Sequence, residues 1–306
     1  MTKVFIDGSA GTTGLRIYER LGNRPDLELM ILPDELRKDP GARADMIHAA
    51  DVAFLCLPDA AAKEAVALAG DADTAIIDTS TAHRTNPDWT YGFPELVGKD
   101  VVAASKRIAN PGCHASGFVA LVAPLVKQGL LKADANLSCF SLTGYSGGGK
   151  NMIADYESPE RSPLLKGPRQ YGLTQVHKHL PEMVKLCGLQ NAPAFCPVVG
   201  DFYSGMEVTV PLFAADLKGG VEDIKNLYKN YYASGLVKFT DATDPDGMLS
   251  AAAFSGRDDM TVSVYGNDDR IILVSRFDNL GKGASGAAIQ NMNIILGIDE
   301  STGLNV

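Results

Sequence analysis

Short apolar runs alternate with amphipathic stretches over the first 110 residues. The apolar runs are typical of buried strands and cover residues 3–7, 28–32, 51–57, 74–78 and 101–105. Helical patterns stand between several of them, over residues 15–21, 42–49 and 60–69. Strands that alternate with helices predict a parallel sheet wound by right-handed crossovers. The pattern therefore predicts an open α/β fold for this part of the chain.

The pattern changes after an apolar helix predicted over residues 113–129. Strands are predicted over 137–143, 195–199, 207–213, 260–265 and 270–277, with a helix over 221–233. The last two strands are separated by a turn at 265–270 and are predicted to form a hairpin. A final apolar helix follows a run of small residues and extends through 296. We predict an α+β domain with a mixed sheet over 113–283, and assign 1–112 and 284–306 to the α/β domain.

A glycine-rich loop separates the first strand from the first helix. It consists of Gly8, Ser9, Ala10, Gly11, Thr12, Thr13 and Gly14. Glycines let a backbone turn tightly and approach a pyrophosphate, and the helix N-terminus adds N–H donors. The spacing G-x-x-G-x-x-G is a variant of the dinucleotide fingerprint, and an ordinary strand-to-helix turn is the alternative. We predict a Rossmann-like dinucleotide-binding domain.

Other residues are candidates for cofactor contacts. We expect Ser80, which follows the strand at 74–78, and Asn279, which precedes the last helix, to lie near the nucleotide. The residues after the second strand include both acids and bases, namely Asp34, Glu35, Arg37 and Lys38. An acid there favours NAD and a base favours the 2′-phosphate of NADP, so this segment leaves the choice open.

Cys113 follows three turn-forming residues, Asn110, Pro111 and Gly112, and begins the apolar helix. Unpaired backbone N–H groups and the positive end of the helix dipole at that position favour a thiolate. A cysteine in such a place can act as a nucleophile. Packing is the alternative, and it fits the four cysteines that lie within apolar patterns, Cys56, Cys139, Cys187 and Cys196. We predict that Cys113 is the nucleophile.

Two of the five histidines, His177 and His179, open a predicted helix that has Pro181 and Glu182 in its first turn. A histidine can move the proton of a thiol, and a carboxylate can orient it. A surface position is the alternative, and we expect no metal because no third ligand has suitable spacing. Three further residues are candidates for holding an anionic substrate: Arg84, Asn110 and Lys150.

Charge and composition narrow the class of protein. The chain of 306 residues has 28 basic and 37 acidic residues, a net charge of −9, which argues against a nucleic-acid partner. A few local cations can still bind a small phosphorylated substrate. No apolar run reaches the roughly 18 residues of a membrane span, and no signal-peptide pattern is found. Five cysteines without short paired spacings fit neither a disulfide framework nor a zinc site, so we expect a cytoplasmic protein.

Four motifs in order resemble the N-acetyl-γ-glutamyl-phosphate reductases, and most closely their shorter, second type. They are Gly-Ser-Ala-Gly-Thr-Thr-Gly from Gly8, Asn-Pro-Gly-Cys from Asn110, His-Lys-His-Leu-Pro-Glu-Met from His177, and Lys-Gly-Ala-Ser-Gly-Ala-Ala-Ile-Gln-Asn-Met-Asn from Lys282. The resemblance runs essentially end to end. It implies NADP as cofactor and the reduction of N-acetylglutamyl 5-phosphate to the 5-semialdehyde and phosphate, a step of arginine biosynthesis.

By this resemblance Cys113 matches the nucleophile, and the segment from His177 to Glu182 matches the source of the acid/base histidine. We favour His177 as that acid/base, with Glu182 as its orienting carboxylate, and leave His179 open. Arg84 and Lys150 match substrate-side positions only loosely. The longer members have Ser-Gly-Ala-Gly-Arg where this chain has a run ending in Lys150, and lysine cannot form the bidentate fork of arginine.

Two alternatives remain at this stage. Aspartate-semialdehyde dehydrogenase has the same architecture and covalent chemistry but a shorter substrate with a free amine. A nucleotide-sensing regulatory protein could keep the fold without chemistry. The second domain is expected to be catalytic and to mediate dimerisation, because mixed-sheet domains of this kind often pair face to face. We therefore expect a homo-oligomer.

Overall fold

A computed structural model describes all 306 residues. The chain folds into two compact units. The first consists of Met1–Gly112 and Ala284–Asn305, and the second consists of Cys113–Gly283.

The first unit has a six-stranded sheet with every pair of neighbours parallel. Its strands are β1 (Thr2–Asp7), β2 (Leu27–Met30), β3 (Val52–Leu55), β4 (Ala75–Asp78), β5 (Thr90–Tyr91) and β6 (Arg107–Ala109). They lie in the order β2-β1-β3-β4-β6-β5. The predicted parallel α/β sheet is confirmed.

Helices cover both faces of this sheet. They are α1 (Thr12–Leu21), α2 (Pro40–Ala49), α3 (Asp59–Ala69), α4 (Pro94–Val97) and α5 (Lys99–Ala103), joined by the chain's last helix, Gly286–Ile295. Alternate side chains of β1 enter two separate hydrophobic clusters, Val4 and Ile6 on one face and Phe5 on the other. Burial on both faces explains why the strands are continuous apolar runs.

The strand predicted over residues 101–105 is wrong. Val101 and Val102 lie in α5, where Val102 is buried and Val101 is exposed, as one face of a helix requires. The strand of this region is β6, which begins at Arg107. A short apolar run has no periodicity that separates a strand from a helix, which accounts for the error.

The second unit has a seven-stranded mixed sheet, so the predicted sheet type is confirmed. Its strands are β7 (Ser138–Gly144), β8 (Arg169–Gln170), β9 (Ala194–Gly200), β10 (Met206–Phe213), β11 (Val237–Phe239), β12 (Met260–Gly266) and β13 (Arg270–Phe277), and its helices are α6 (Cys113–Lys127), α7 (Gly149–Glu157), α8 (Leu180–Cys187) and α9 (Val221–Tyr231). In chain order the last helix of the first unit is α10 (Gly286–Ile295). The order is β11-β12-β13-β10-β7-β9-β8, with parallel pairs at β11–β12 and β7–β9.

Helix α6 is buried from its second residue through Leu125 and contacts β10, β13 and α8. Pro124 lies inside it and has no N–H to donate to the carbonyl of Ala120. The hydroxyl of Tyr232 donates to that carbonyl at 2.6 Å, and Tyr228 donates to the carbonyl of Leu121. The bond from Tyr232 replaces the one that Pro124 cannot donate to Ala120. Both tyrosines fix the position of the helix that begins at Cys113.

The glycine-rich run that ends at Lys150 forms regular secondary structure. Tyr145–Gly148 form a 3₁₀ turn, and α7 begins at Gly149. Backbone N–H groups of Tyr145 and Ser146 donate to the carbonyls of Phe202 and Tyr203 at 2.9 and 3.0 Å. A Cβ atom at Gly144 would lie 2.5 Å from the carbonyl oxygen of Tyr203, so this glycine allows the two backbone segments to pack closely. Lys150 lies exposed in the first turn of α7.

Candidate active site

Asn110 fixes the turn that precedes Cys113. Its backbone N–H donates to the carbonyl of Asp78 at 2.8 Å, and its carbonyl accepts from Arg84 Nε at 2.9 Å. Its side-chain amide donates to the carbonyl of Ala284 at 3.0 Å and accepts from Asn291 at 3.4 Å. Asn110 is 1% exposed, and its hydrogen bonds stabilise the turn before Cys113. Its contact with substrate stays a prediction.

Arg84 and Ser80 belong to one anchored segment after β4. The carboxylate of Asp78 is fully buried and accepts from Ser80 N, Ser80 Oγ and His83 Nδ1 at 2.9, 2.8 and 2.7 Å. Arg84 also donates through Nη2 to the carbonyl of Thr79 at 3.0 Å. This network fixes the segment that holds Asn110. The predicted roles of Ser80 with cofactor and Arg84 with substrate remain untested.

Three histidine rings of the second unit lie together. The ring centroids of His114 lie 5.7 Å from His177 and 5.5 Å from His179, and those of His177 and His179 are 4.7 Å apart. His114 is the residue next to Cys113 on α6. The structure therefore brings His177 and His179 beside the start of α6, although more than 60 residues separate them from it in sequence.

The two predicted histidines differ in exposure and in partners. His179 is 5% exposed, and its Nε2 lies 4.0 Å from Oε1 of the buried Glu182. His177 is partly exposed, and its Nδ1 accepts from the backbone N–H of His179 at 3.2 Å. A neutral His177 therefore has its proton on Nε2. The histidine that the structure places within 4.0 Å of the Glu182 carboxylate is His179, whereas the sequence favoured His177.

His114 and Tyr171 are two residues of the cluster that the sequence analysis missed. His114 Nδ1 lies 2.6 Å from Ser141 Oγ, and its Nε2 lies 2.6 Å from the hydroxyl of Tyr171. Burial, with added repulsion from His177 and Lys178, lowers the pKa of His114 to about 3. Burial raises the pKa of Tyr171 above its usual value, and the negative charge on Cys113 adds to this effect.

A π-helical turn, Gly281–Ser285, contacts the candidate nucleophile. A Cβ atom added at Gly283 would lie 3.0 Å from Cys113 Cβ, so a side chain there would crowd the candidate nucleophile. The amide of Asn279 donates to Ser146 Oγ and accepts from Gly205 N, both at 2.9 Å. Those bonds hold the segment before the turn, and a cofactor contact of Asn279 stays a prediction.

The glycine loop of the first unit has the geometry of a phosphate site. Gly8 has a φ of +85°, and a Cβ there would lie 2.3 Å from the carbonyl oxygen of Cys56. A Cβ at Gly14 would lie 2.4 Å from the carbonyl oxygen of Gly8, so helix and strand pack closely. Gly11 is the N-cap of α1 and offers no side-chain cap to the first N–H groups. These residues fit a bound pyrophosphate at the helix N-terminus.

Comparison with known proteins agrees with this architecture. Residues 113–279 match a family model described as semialdehyde dehydrogenase, dimerisation domain, and residues 32–104 match semialdehyde dehydrogenase, NAD binding domain. The structure is similar to aspartate semialdehyde dehydrogenase II of Vibrio cholerae, with a TM-score of 0.73 at 16% identity over 97% of this chain and 98% of that one. The structure is also similar to an aspartate semialdehyde dehydrogenase of Francisella tularensis, with a TM-score of 0.72 at 16% identity. That alignment covers 97% of this chain and 100% of the other. The fold is that of the semialdehyde dehydrogenases.

Curated relatives narrow the family further. N-acetyl-gamma-glutamyl-phosphate reductase 2 of a Nostoc species is 44% identical over 99% of both chains. The N-acetyl-gamma-glutamyl-phosphate reductases of Burkholderia lata and Brucella ovis are each 45% identical to this chain. Both alignments cover 96% of this chain, and they cover 96% of the Burkholderia protein and 99% of the Brucella protein. The chain belongs to the N-acetyl-γ-glutamyl-phosphate reductase family. None of its helices has the length and apolar character needed to cross a membrane.

Proposed function

We propose that this chain reduces N-acetylglutamyl 5-phosphate to N-acetylglutamate 5-semialdehyde and phosphate, a step of arginine biosynthesis. The observation that supports it most is identity of 44–45% over nearly the whole chain with relatives of that name. Within the second unit, Cys113 begins a helix beside a cluster of three histidines, which suits covalent acyl chemistry.

The first chemical step is acylation of Cys113. Its thiolate attacks the acyl carbon, the bond from that carbon to the phosphate oxygen breaks, and phosphate leaves with the electron pair. Backbone N–H groups at the start of α6 stabilise the oxyanion of the tetrahedral intermediate, and one such donor contributes roughly 2.7–4 kcal/mol. The product is a thioester on Cys113.

The second step converts the thioester into the aldehyde. The glycine loop from Gly8 to Gly14 would hold NADPH, which would supply the hydride that reduces the acyl carbon. The Nε2–H of His177 donates a hydrogen bond to the resulting alkoxide and stabilises it, because His177 is partly exposed and its Nδ1 already accepts from His179 N. The buried His179 contacts His177 through its backbone N–H and its ring, and the buried Glu182 contacts His179. The carbon–sulfur bond then breaks, which releases the aldehyde and returns the thiolate.

The remaining assignments concern cofactor, substrate and assembly. We assign NADP rather than NAD, with Arg37 and Lys38 after β2 available to a 2′-phosphate. Arg84 and Lys150 are the cations assigned to the acyl phosphate. A homo-oligomer forms through the second unit, and the reaction takes place in the cytoplasm.

A comparison of two aldehydes tests this function. In the reverse direction, purified protein with phosphate and NADP⁺ should oxidise N-acetylglutamate 5-semialdehyde at least 100-fold faster than aspartate semialdehyde, measured as initial rates of NADPH formation. NAD⁺ should support the reaction less well than NADP⁺. Faster oxidation of aspartate semialdehyde would identify an aspartate-semialdehyde dehydrogenase instead. Binding of NADP⁺ with no turnover of either aldehyde would indicate a regulatory protein.

A further inference from the structure

We propose that Gln175 is a positioning residue, whose side-chain amide binds the backbone of Phe195 and thereby holds His177 in place. The inference rests on the proposed function, in which the Nε2–H of His177 donates to the alkoxide. All the residues concerned lie in the second unit. Phe195 lies on β9, and Gln175 and His177 lie between β8 and α8.

The side chain of Gln175 forms two hydrogen bonds with a single residue of β9. Its Nε2 donates to the carbonyl of Phe195 at 2.7 Å, and its Oε1 accepts from the Phe195 N–H at 2.8 Å. The donor and the acceptor of the glutamine amide thus each have the matching backbone partner. Two parallel bonds to one residue fix the orientation of the planar amide as well as its position.

The amide takes the place of a neighbouring strand at the edge of the sheet. β8 is two residues long, and its contact with β9 continues in the bond from the Tyr171 N–H to the carbonyl of Pro197, at 3.0 Å. Phe195 is the next residue of β9 whose backbone groups point to this edge, because alternate residues of a strand point to the same side. Such edge groups need partners, and Gln175 supplies both of them for Phe195.

Gln175 has an unfavourable backbone conformation. Its φ is +56°, and it is the only residue other than glycine with a positive φ in the chain. The left-handed conformation is costly for a residue with a Cβ atom, and it persists where surrounding contacts fix it. Residues 173–176 are all exposed, so this stretch buries little surface of its own. The two bonds to Phe195 therefore hold a turn that its backbone disfavours.

Phe195 connects the Gln175 amide to the imidazole of His177. The Phe195 side chain is 1% exposed, and its ring centroid lies 5.0 Å from that of His177 and 5.3 Å from that of His114. Phe195 thus contacts the segment through its backbone and the imidazole through its ring. The bonds from Gln175 therefore fix His177, two residues further on, relative to the ring that it packs against. A hydrogen-bond donor stabilises an alkoxide only at the correct distance, so this placement determines what His177 contributes.

Three substitutions separate the amide from the backbone strain. Gln175→Met keeps the length of the side chain and loses both bonds. Gln175→Gly loses both bonds but accommodates the positive φ. Gln175→Asn keeps an amide and tolerates the positive φ, but it is one methylene too short to bind both groups of Phe195. Gln170→Met is the matched control, because it changes another exposed glutamine nearby, on β8.

The rate of the first turnover measures the effect on chemistry. With N-acetylglutamate 5-semialdehyde and NADP⁺ but no phosphate, all three Gln175 variants should form NADPH about tenfold more slowly than wild type, since loss of an oxyanion donor costs roughly 10²–10³-fold and a displaced donor loses part of that. Half-saturation by the aldehyde should change by less than about twofold, because Gln175 does not bind substrate. Gln175→Gly should be at least as stable in urea as Gln175→Met and equally slow, which a residue that only stabilises the fold would not produce.

Modification of His177 by diethyl pyrocarbonate measures its placement without substrate. Mass spectrometry should find His177 modified about threefold faster in the Gln175 variants, because a segment released from β9 exposes its side chains more often. The exposed His48 of the first unit is the internal reference and should react at the wild-type rate.

The proposal is overturned if Gln175→Met and Gln175→Gly form NADPH at the wild-type rate, or if Gln170→Met slows the reaction equally. An unchanged rate of His177 modification overturns it as well, whatever the activity. A wild-type protein without any first turnover would refute the reductase function instead, and the modification rates would still decide the role of Gln175.

Discussion

His114 is a buried histidine that the fold keeps neutral, and this has a consequence for stability. Burial lowers its pKa to about 3, whereas an unfolded chain has a histidine pKa near 6.5. Between these values the unfolded state binds a proton that the folded state does not. The contribution of neutral His114 to the free energy of unfolding is therefore complete above about pH 6.5, and it declines as the pH falls towards about 3.

The change His114→Gln should reduce the loss of stability in acid. Between pH 7 and pH 5, wild-type protein should lose about 2 kcal/mol more unfolding free energy than the variant, at about 1.4 kcal/mol per pH unit below 6.5. Urea unfolding at both pH values measures this difference. A matched His48→Gln change at an exposed position should leave the wild-type dependence intact. Equal pH dependence of wild type and His114→Gln would refute the account of this residue.

At the scale of elements, the sheet of the second unit has one covered face and one open face. Helices α6 and α9 contact β10, β12 and β13 on the covered face. Large apolar side chains are exposed on the open face, with Phe140 of β7 at 52% and Phe213 of β10 at 63%. Phe140 pairs with Thr209 and Cys196 on its neighbouring strands. An exposed apolar sheet face of this kind is typical of an interface between copies.

Phe140→Glu should therefore dissociate the proposed homo-oligomer, because it places a charge on the open face. Sedimentation of wild type and variant measures the mass in solution. Val101→Glu is the control, since Val101 is 51% exposed but lies on α5 of the first unit, and it should keep the wild-type mass. A monomeric wild type, or an unchanged mass for Phe140→Glu, would rule out this interface.

At the scale of the whole molecule, the chain crosses between its two units next to the candidate nucleophile. The first unit ends at Gly112 and resumes at Ala284, and the residues just inside the second unit, Cys113 and Gly283, contact each other. The glycine loop belongs to the first unit, and the cysteine with its histidines belongs to the second. The proposed reaction accordingly divides into acylation, whose nucleophile belongs to the second unit, and reduction, which also needs the cofactor.

Much of this molecule could be predicted from sequence, and the misses have physical causes. Buried parallel strands are continuous apolar runs, so the first sheet was predictable, whereas the run at Val101 was too short to distinguish a helix from a strand. His114 was missed because a histidine inside an apolar helix resembles a packed residue. Tyr171 was missed because it lies in a long connection without periodicity. The contact between His114 and Tyr171 joins distant segments, and only the folded chain reveals it.

The most direct measurement of the central claim is the burst of NADPH when phosphate is omitted. Wild-type protein mixed with N-acetylglutamate 5-semialdehyde and NADP⁺ should release about one NADPH per chain rapidly and then slow, because the thioester on Cys113 needs phosphate to leave. Mass spectrometry should find the acyl group on Cys113. Cys113→Ser should show no burst while still binding NADP⁺. A burst in Cys113→Ser, or steady wild-type turnover without phosphate and without acylated Cys113, would contradict the account.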